Sequence, residues 1–190
     1  MTATTTGTAT EDQITLIKHL QTMNLKRLLP QEECNKEGFV TMEFDITLLQ
    51  RMHQSTPAVV SLNTPTVLAG YALAVSKEVA LDHPMLSQFV NTVDSTCVYN
   101  GTPVSTLNYI TMAQLCVAKE FRGMGVVAEM YARFKEEYRR RGFTCAVTSV
   151  AHNNPRSLKA HLKAGWVVLS TLEYQPGEPF DIVLLDFDKE

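Results

Sequence analysis

A short turn with two glycines, Gly123 and Gly125, is the segment of this sequence best suited to bind a charged ligand. The turn follows an apolar run at 107–118 and precedes an amphipathic segment typical of a helix. The start of a helix leaves backbone N–H groups without partners and carries the positive end of the helix dipole. Glycines allow the backbone to direct several of these groups toward one point. The segment therefore predicts a phosphate-binding turn.

A second segment with side chains capable of chemistry lies downstream, at 154–166. Asn154 followed by Pro155 is typical of a helix start, and Gly165 is typical of the residue just beyond a helix end. His161 lies within this predicted helix. An imidazole titrates near ~6.5, so His161 could donate or relay a proton at neutral pH. The alternative is a histidine that packs beside Trp166 with both ring nitrogens bonded locally.

The elements around these segments indicate an α/β fold. The run 107–118 is apolar on both alternating faces, which predicts a central strand. The helix after the turn carries an apolar stripe and ends at a basic triplet, 139–141, followed by Gly142. Another apolar run, 143–150, follows. The order strand, helix, strand, helix predicts parallel pairing in the middle of a sheet.

The rest of the chain predicts further elements around this centre. Thr10 and Gln13 form a capping-box pattern, and Asp45 is placed to cap another helix. The predicted elements are a short strand in the Thr-rich start, a helix over 11–23, an irregular segment over 24–42, a helix after Asp45, a hairpin of 58–62 and 67–75, a helix near 84–94, and a final strand pair of 166–172 and 180–187.

Composition excludes several classes of protein. With 190 residues, 45% of them hydrophobic and 19% charged, the chain is expected to form one globular domain over 1–190. A net charge of −3 argues against a nucleic-acid partner, and no apolar run is long enough to predict a membrane span. No secretory signal is visible, and the four scattered cysteines are expected to be free thiols in a reducing cytoplasm. The histidines and cysteines lack metal-ligand spacing, so no metal is predicted.

Together, these motifs resemble the GNAT superfamily of N-acetyltransferases. Arg122 and Gly125 match the R/Q-x-x-G-x-G/A turn of that family, and Asn154, His161 and Gly165-Trp166 match its Asn, Tyr and Gly-Phe region. The resemblance implies the α/β acyl-CoA N-acyltransferase fold: a mixed central sheet of six to seven strands flanked by helices and splayed between strands 107–118 and 143–150. No nucleotide motif of the type G-x-G-x-x-G or G-x-x-x-x-G-K-[ST] is present, which argues against NAD or ATP.

The resemblance also implies a site and a reaction. Acetyl-CoA would be the acyl donor, and an amine would attack its thioester directly in a ternary complex. The pantetheine arm would pair with backbone groups of Cys116, Val117 and Ala118, and the N–H of Val117 would stabilise the oxyanion. Asn154 and Ser157 would face the cofactor, and His161 would protonate the departing thiolate. The diphosphate would lie on the N–H groups of Arg122, Gly123, Met124, Gly125, Val126 and Val127.

Three positions depart from the family pattern. Val127 stands where Gly or Ala is usual, Gln114 stands where many relatives carry a glutamate base, and His161 replaces the usual tyrosine. These departures leave open a second interpretation, a catalytically silent GNAT-fold module that binds acyl-CoA.

The acceptor side is less defined in the sequence. The general base is not identified; Glu43, Asp45 and Asp181 are candidates, each with an alternative role as a helix cap or a surface carboxylate. The resemblance implies that the acceptor cleft lies between segments 24–42 and 173–180. Their mixed charges select no acceptor, and the sequence leaves a homodimer open.

Overall fold

The computed structural model describes residues 4–189, so the ends of the predicted domain, 1–3 and 190, lie outside the described residues. The strands are β1 (Thr5–Thr8), β2 (Val59–Thr64), β3 (Val67–Val75), β4 (Val98–Tyr99), β5 (Thr102–Pro103), β6 (Tyr109–Val117), β7 (Cys145–Ala151), β8 (Val167–Glu173) and β9 (Pro179–Asp186). The helices are α1 (Ile14–Met23), α2 (Gln31–Glu37), α3 (Ile46–Ser55), α4 (Lys77–Leu81), α5 (Pro84–Thr96), α6 (Val126–Arg140) and α7 (Pro155–Lys163).

A mixed seven-stranded sheet in the order β1-β2-β3-β6-β7-β9-β8 forms the centre of the fold. Its strands pair antiparallel except for β6 and β7, which are parallel. Strands β3 and β6 lie inside the sheet, which is why their apolar residues are buried on both faces. The predicted mixed sheet with a parallel pair at its centre is confirmed.

Helices cover both faces of this sheet. The Tyr71 hydroxyl and the Gln21 side chain of α1 both donate to Oε1 of Gln114. A Cβ added to the neighbouring Gly70 would instead lie 3.0 Å from the Met130 side chain of α6. Successive residues of a strand point to opposite faces, so α1 and α6 lie on opposite sides of β3. Gly70 permits this close approach of α6 to the sheet.

Most predicted elements occur within a few residues of their expected bounds. The short first strand, the hairpin β2-β3, the helix capped by Asp45 and the final pair β8-β9 are all present. The predicted helix over 11–23 begins as a 3₁₀ turn at Glu11–Gln13 and continues as α1.

The segment 24–42 is a correction to the sequence prediction. It was expected to be irregular but contains a 3₁₀ turn at Lys26–Leu28 and the helix α2. Helix α2 is polar, so it offers no apolar periodicity from which it could be predicted. Pro30 precedes it, Glu32 and Glu33 occupy its first turn and Lys36 its last, and these charges favour the helix dipole. Helix α4 and the small β4-β5 hairpin were also not predicted.

Candidate active site at a split between two parallel strands

The parallel strands β6 and β7 separate partway along their length. They pair from Tyr109 to Thr111 on β6 and from Cys145 to Val147 on β7. Both strands then continue, to Val117 and Ala151, without pairing to each other. A narrow cavity opens in this gap, lined by residues 112–115 and 148–151 of the two strands. The predicted splay is therefore present.

The backbone of β6 presents alternate residues to the gap. The N–H of Ala118 donates to the carbonyl of Ala69 at 2.9 Å, and Cys116 is in register with Tyr71 of β3. In an antiparallel ladder, the N–H and C=O groups of successive residues point to opposite sides. Cys116 and Ala118 therefore direct their backbone groups toward β3, and Leu115 and Val117 direct theirs toward the gap.

This alternation refines the predicted contact with a pantetheine arm. Of the three residues expected to supply it, only Val117 has backbone groups on the open side. Leu115 was not predicted, and the N–H of Ala118 is already used within the sheet. The sequence does not reveal the register between β3 and β6. This register decides which residues of β6 direct their backbone groups toward the gap.

The glycine turn lies beyond the end of β6 and leads directly into α6. Gly123 and Gly125 have φ values of +78° and +89°, in the left-handed region that favours glycine. The first hydrogen bonds of α6 run from Ala128 and Glu129 to the carbonyl of Gly125, at 2.9 and 3.2 Å. Among the described residues, no hydrogen bond involves the N–H groups of 123–127. These groups remain available to an anion.

Arg122 differs from the other residues predicted to bind the diphosphate. Its N–H donates to the carbonyl of Lys119 at 3.3 Å, so that group is occupied. Its guanidinium, which is largely buried, donates to the Val117 carbonyl at 3.1 Å, to Asn24 at 2.6 Å and to Glu37 at 3.3 Å. The Arg122 side chain thus links the glycine turn to α2 and to the end of α1 through hydrogen bonds.

The start of α7 forms another wall of the cavity. The Asn154 side chain caps the helix by accepting from the N–H of Ser157 at 3.3 Å, and it also donates to the carbonyl of Phe39 at 3.0 Å. Both Asn154 and Ser157 line the cavity. Asn154 therefore fixes the position of α7 relative to the segment after α2.

His161 lies on α7, is only 4% exposed and lines the same cavity. Its Nδ1 lies 2.8 Å from the Ser157 carbonyl, and its ring packs against Tyr131 and Trp166, with ring centroids 5.4 and 5.0 Å away. Burial lowers the pKa of His161 to about 4, despite the hydrogen bond to Ser157. A carbonyl can only accept, so the neutral ring carries its proton on Nδ1 and leaves Nε2 as an acceptor.

This protonation state restricts the expected role of His161. At neutral pH the ring must collect a proton at Nε2 before it can give one to a thiolate. The geometry therefore favours a proton relay over an imidazolium that is already charged. The packing beside Trp166, considered as an alternative, coexists with the position in the cavity.

Gln114 is held by three hydrogen bonds that involve all of its polar atoms. Its Nε2 donates to the Met42 carbonyl at 2.7 Å, and its Oε1 accepts from Gln21 at 3.0 Å and from the Tyr71 hydroxyl at 2.6 Å. The side chain is 8% exposed and lines the cavity. An amide cannot act as a base at neutral pH, so Gln114 fixes the local structure at this position.

The carboxylates suggested as the base are engaged elsewhere. Glu43 forms ion pairs with Lys18 at 2.8 Å and with Arg27, and these lower its pKa. Asp45 caps α3 by accepting from the N–H of Leu48 at 2.8 Å. Asp181 lies in β9, where it accepts from Thr171 and contacts His152.

A wider cleft adjoins the narrow cavity. Its walls come from both segments predicted to line an acceptor cleft, together with the residues that follow β7. The two spaces share Thr41, Ala151 and Phe180. The lining residues of the wider cleft are Lys26, Arg27, Gln31, Thr41, Ala151, His152, Asn153, Gly177, Glu178, Pro179 and Phe180.

Within residues 4–189, none of the helices has the length and apolar character that crossing a bilayer requires. The part of the chain that the structure describes also brings together no cluster of three His, Cys, Asp or Glu side chains suited to a metal ion.

The mixed sheet, split beside an N–H-lined turn, defines an acyltransferase-type α/β fold. A family model described as the acetyltransferase (GNAT) family matches residues 32–166. The chain therefore belongs to the GNAT acetyltransferase family, as its motifs predicted. A search of the curated proteins found no match.

Solved structures share this fold at low sequence identity. The putative acetyltransferase yncA from Salmonella typhimurium, solved with its cofactor acetyl-CoA, has 15% identity and a TM-score of 0.62, with 99% of this chain and 96% of that chain covered. The ribosomal-protein-S18-alanine N-acetyltransferase from Escherichia coli has 10% identity and a TM-score of 0.66, with the same coverage of 99% and 96%. Ard1 from Thermoplasma volcanium has 14% identity and a TM-score of 0.65, with 97% of each chain covered.

Proposed function

We propose that this protein transfers an acetyl group from acetyl-CoA to a primary amine of a small molecule or peptide, by direct attack in a ternary complex. The observation that carries the proposal is the combination of a split parallel pair with a run of unpaired N–H groups at its end. The split accommodates an extended arm, and the turn accommodates its phosphates. The chain would act as one domain, 1–190.

The donor would occupy the gap between β6 and β7. Backbone groups of Leu115 and the Val117 carbonyl, which keeps one lone pair beside its bond to Arg122, would pair with the pantetheine arm as with another strand, leaving the N–H of Val117 for the oxyanion. The N–H groups of 123–127 would hold the diphosphate, supported by the dipole of α6. Asn154 and Ser157 would face the cofactor from α7. Val127 does not weaken this arrangement, because its contribution is a backbone N–H.

The reaction requires a neutral amine and a stabilised oxyanion. An amine with a pKa near ~10.4 is mostly protonated at neutral pH, so a proton must leave before attack. The N–H of Val117 would stabilise the oxyanion that forms on the thioester carbonyl. His161 would collect a proton at Nε2 and pass it to the departing thiolate, whose pKa is about 8.5 by analogy with cysteine.

The first test is a thermal-shift titration with acetyl-CoA, CoA, NAD and ATP. Ligand at about 100 times its Kd should stabilise the protein by roughly 2.7 kcal/mol, which raises Tm by about 5–10 °C for a chain of this size. We expect this rise with acetyl-CoA and CoA and no rise with NAD or ATP. No rise with either CoA compound would remove the proposed role of the glycine turn.

The second test measures release of the CoA thiol with four amines: L-lysine, spermidine, kanamycin and an alanine-initiated peptide. His161→Phe should lower turnover at least about tenfold, the usual range for losing a proton-transfer group, while the shift with acetyl-CoA is retained. Leu162→Ala, on the exposed side of the same helix, is the control and should leave turnover unchanged. Equal turnover in wild type and His161→Phe would remove His161 from the mechanism.

The hydrogen bonding of Gln114 favours one alternative, a module that binds acyl-CoA without turnover. A position that often carries the base in relatives is here an amide engaged in structural contacts. Tight acetyl-CoA binding without CoA release from any of the four amines would support that alternative.

A further inference from the structure

A histidine and a carboxylate form a close pair on the wall of the wider cleft. His152 follows the end of β7, and its Nε2 lies 2.7 Å from Oδ1 of Asp181 in β9. The Thr171 hydroxyl donates to the same oxygen at 3.3 Å. The Asp181 side chain is 16% exposed and that of His152 is 45% exposed, so the carboxylate is sheltered and the ring is accessible.

The pair determines which ring nitrogen of His152 carries the proton. An ionised carboxylate can only accept, so Nε2 of the neutral ring carries the hydrogen and Nδ1 has the lone pair. Within the described residues, Nδ1 has no hydrogen-bond partner. The backbone N–H of His152 donates to the Pro179 carbonyl at 3.0 Å, which fixes the start of the side chain. A carboxylate that orients a histidine in this way is a common arrangement for a general base.

The other polar groups around this cleft are poorly suited to accept a proton from an amine. Lys26 and Arg27 are cations, and Gln114 in the adjoining cavity is an amide. Glu178 also lines the cleft, where its charge can attract a cationic acceptor. His152 lines this cleft with Nδ1 unpaired among the described residues, and three other residues of the cleft, Thr41, Ala151 and Phe180, also line the cavity.

We infer that His152, oriented by Asp181, is the base that deprotonates the incoming ammonium group in the cleft before the amine reaches the thioester. This inference rests on the proposed function. An N–H bond of the ammonium breaks, its electron pair stays on nitrogen, and the proton binds Nδ1 and then passes to water. The second proton, lost as the amide forms, leaves with the thiolate through His161. The two histidines therefore serve the two halves of the reaction.

The test compares kcat/KM of wild type and His152→Gln between pH 6.5 and 10, with spermidine and an alanine-initiated peptide as acceptors. A base is needed only while the acceptor is protonated. The kcat/KM of His152→Gln should therefore be at least about tenfold below that of wild type at pH 6.5. This loss should shrink to within about threefold near pH 9 for the peptide, whose amine has a pKa near ~8. For spermidine, with a higher amine pKa, the loss should persist to higher pH.

Two further variants separate a base from a structural residue. Asp181→Asn keeps the shape of the side chain but removes its charge, and it should reproduce part of the loss at pH 6.5. Thr171→Val removes the other hydrogen bond to Asp181, and it should stay within threefold of wild type at every pH. A loss for His152→Gln that is equal at all pH values, or no loss, would overturn the inference.

A measurement without any acceptor gives an independent result. Long-range ¹H–¹⁵N correlation of the histidine rings at pH 8.5 should show His152 protonated on Nε2 and His161 protonated on Nδ1. The opposite tautomer for His152 would overturn the inference. Failure of the proposed function gives a different result: wild type would release no CoA with either acceptor at any pH, although both histidines would show the expected tautomers. The inference about His152 would then fail together with the proposed function.

Discussion

At the scale of single residues, the site depends on side chains whose protonation and hydrogen bonding are set by burial. His161 is enclosed by Tyr131 and Trp166, and Gln114 is held by three partners from three different segments. Both residues depart from the family pattern that the sequence motifs resemble. Each substitution therefore has consequences for stability as well as for chemistry.

His161 should make stability depend on pH. Its pKa is about 4 in the folded protein and near ~6.5 in the unfolded chain, so the unfolded chain binds more protons between these values. The contribution of the neutral His161 ring to the free energy of unfolding is present above pH 6.5 and is lost as pH falls toward 4. From pH 7.5 to pH 5, the free energy of unfolding should fall by roughly 2 kcal/mol through this residue.

Urea denaturation of wild type and His161→Phe at both pH values measures this contribution. The fall between pH 7.5 and 5 should be smaller in the variant by about that amount. Identical falls in the two proteins would show that the ring is not buried in its neutral form.

Gln114→Glu should destabilise the protein although it introduces the residue that the family pattern predicts at this position. A carboxylate cannot donate to the Met42 carbonyl, and the buried charge would lack a cation. We expect a loss of roughly 2–4 kcal/mol in the free energy of unfolding.

Gln13→Glu is the matched control for this substitution. The Oε1 of Gln13 only accepts, from the N–H of Thr10 at 3.1 Å, so a glutamate keeps that capping bond. Its stability should stay within about 0.5 kcal/mol of wild type. Gln114→Glu with wild-type stability in urea would contradict the assigned network.

At the scale of elements, the proposed role of the turn between β6 and α6 in ligand binding depends on its backbone conformation. Gly125→Ala places a side chain at a φ of +89°, where the added Cβ would meet no atom within 4 Å. The substitution therefore strains only the backbone, and it should lower the free energy of unfolding by about 1–2 kcal/mol. Relaxation of the turn would redirect its N–H groups, so affinity for acetyl-CoA should fall by about tenfold.

Gly7→Ala in β1 is the control for this prediction, because Gly7 also has open space around it and has no positive φ. Its Tm should match or slightly exceed that of wild type, with unchanged acetyl-CoA affinity. The Tm of each free variant and a calorimetric titration with acetyl-CoA make the comparison. Equal acetyl-CoA affinity in Gly125→Ala and wild type would contradict the role of the turn.

The elements also show what the sequence could and could not reveal. Local signals were sufficient for the turn, the cap at Asn154 and the strands β6 and β7, because glycines, caps and apolar periodicity act over a few residues. The splay between the two strands was expected only from the resemblance to the family. They were insufficient for Leu115, whose orientation depends on the register with β3, and for α2, which has no apolar face. The contact between His152 and Asp181 joins residues 29 positions apart, so only the fold brings them together.

At the scale of the whole molecule, the sheet consists of two parts joined at a short parallel seam. Strands β1, β2, β3 and β6 form one part, and β7, β9 and β8 form the other. The end of α2 and the segment that follows it span the opening between them. Glu37 lies 3.3 Å from Arg122 on one side and 3.2 Å from Arg156 on the other, and Phe39 accepts from Asn154 at 3.0 Å. These polar contacts link the elements on the two sides of the opening.

The separation of β6 from β7 has a consequence for amide hydrogen exchange. The N–H of Val117 lies inside a sheet yet has no strand partner on its own side, so in the free protein it should exchange rapidly, like the amides of 123–127. Its neighbour Cys116 should exchange slowly, because its groups face β3. Acetyl-CoA should slow exchange at Val117 and along the turn while leaving Cys116 unchanged. This alternating protection along one strand would trace the path of the donor, residue by residue, before any acceptor is known.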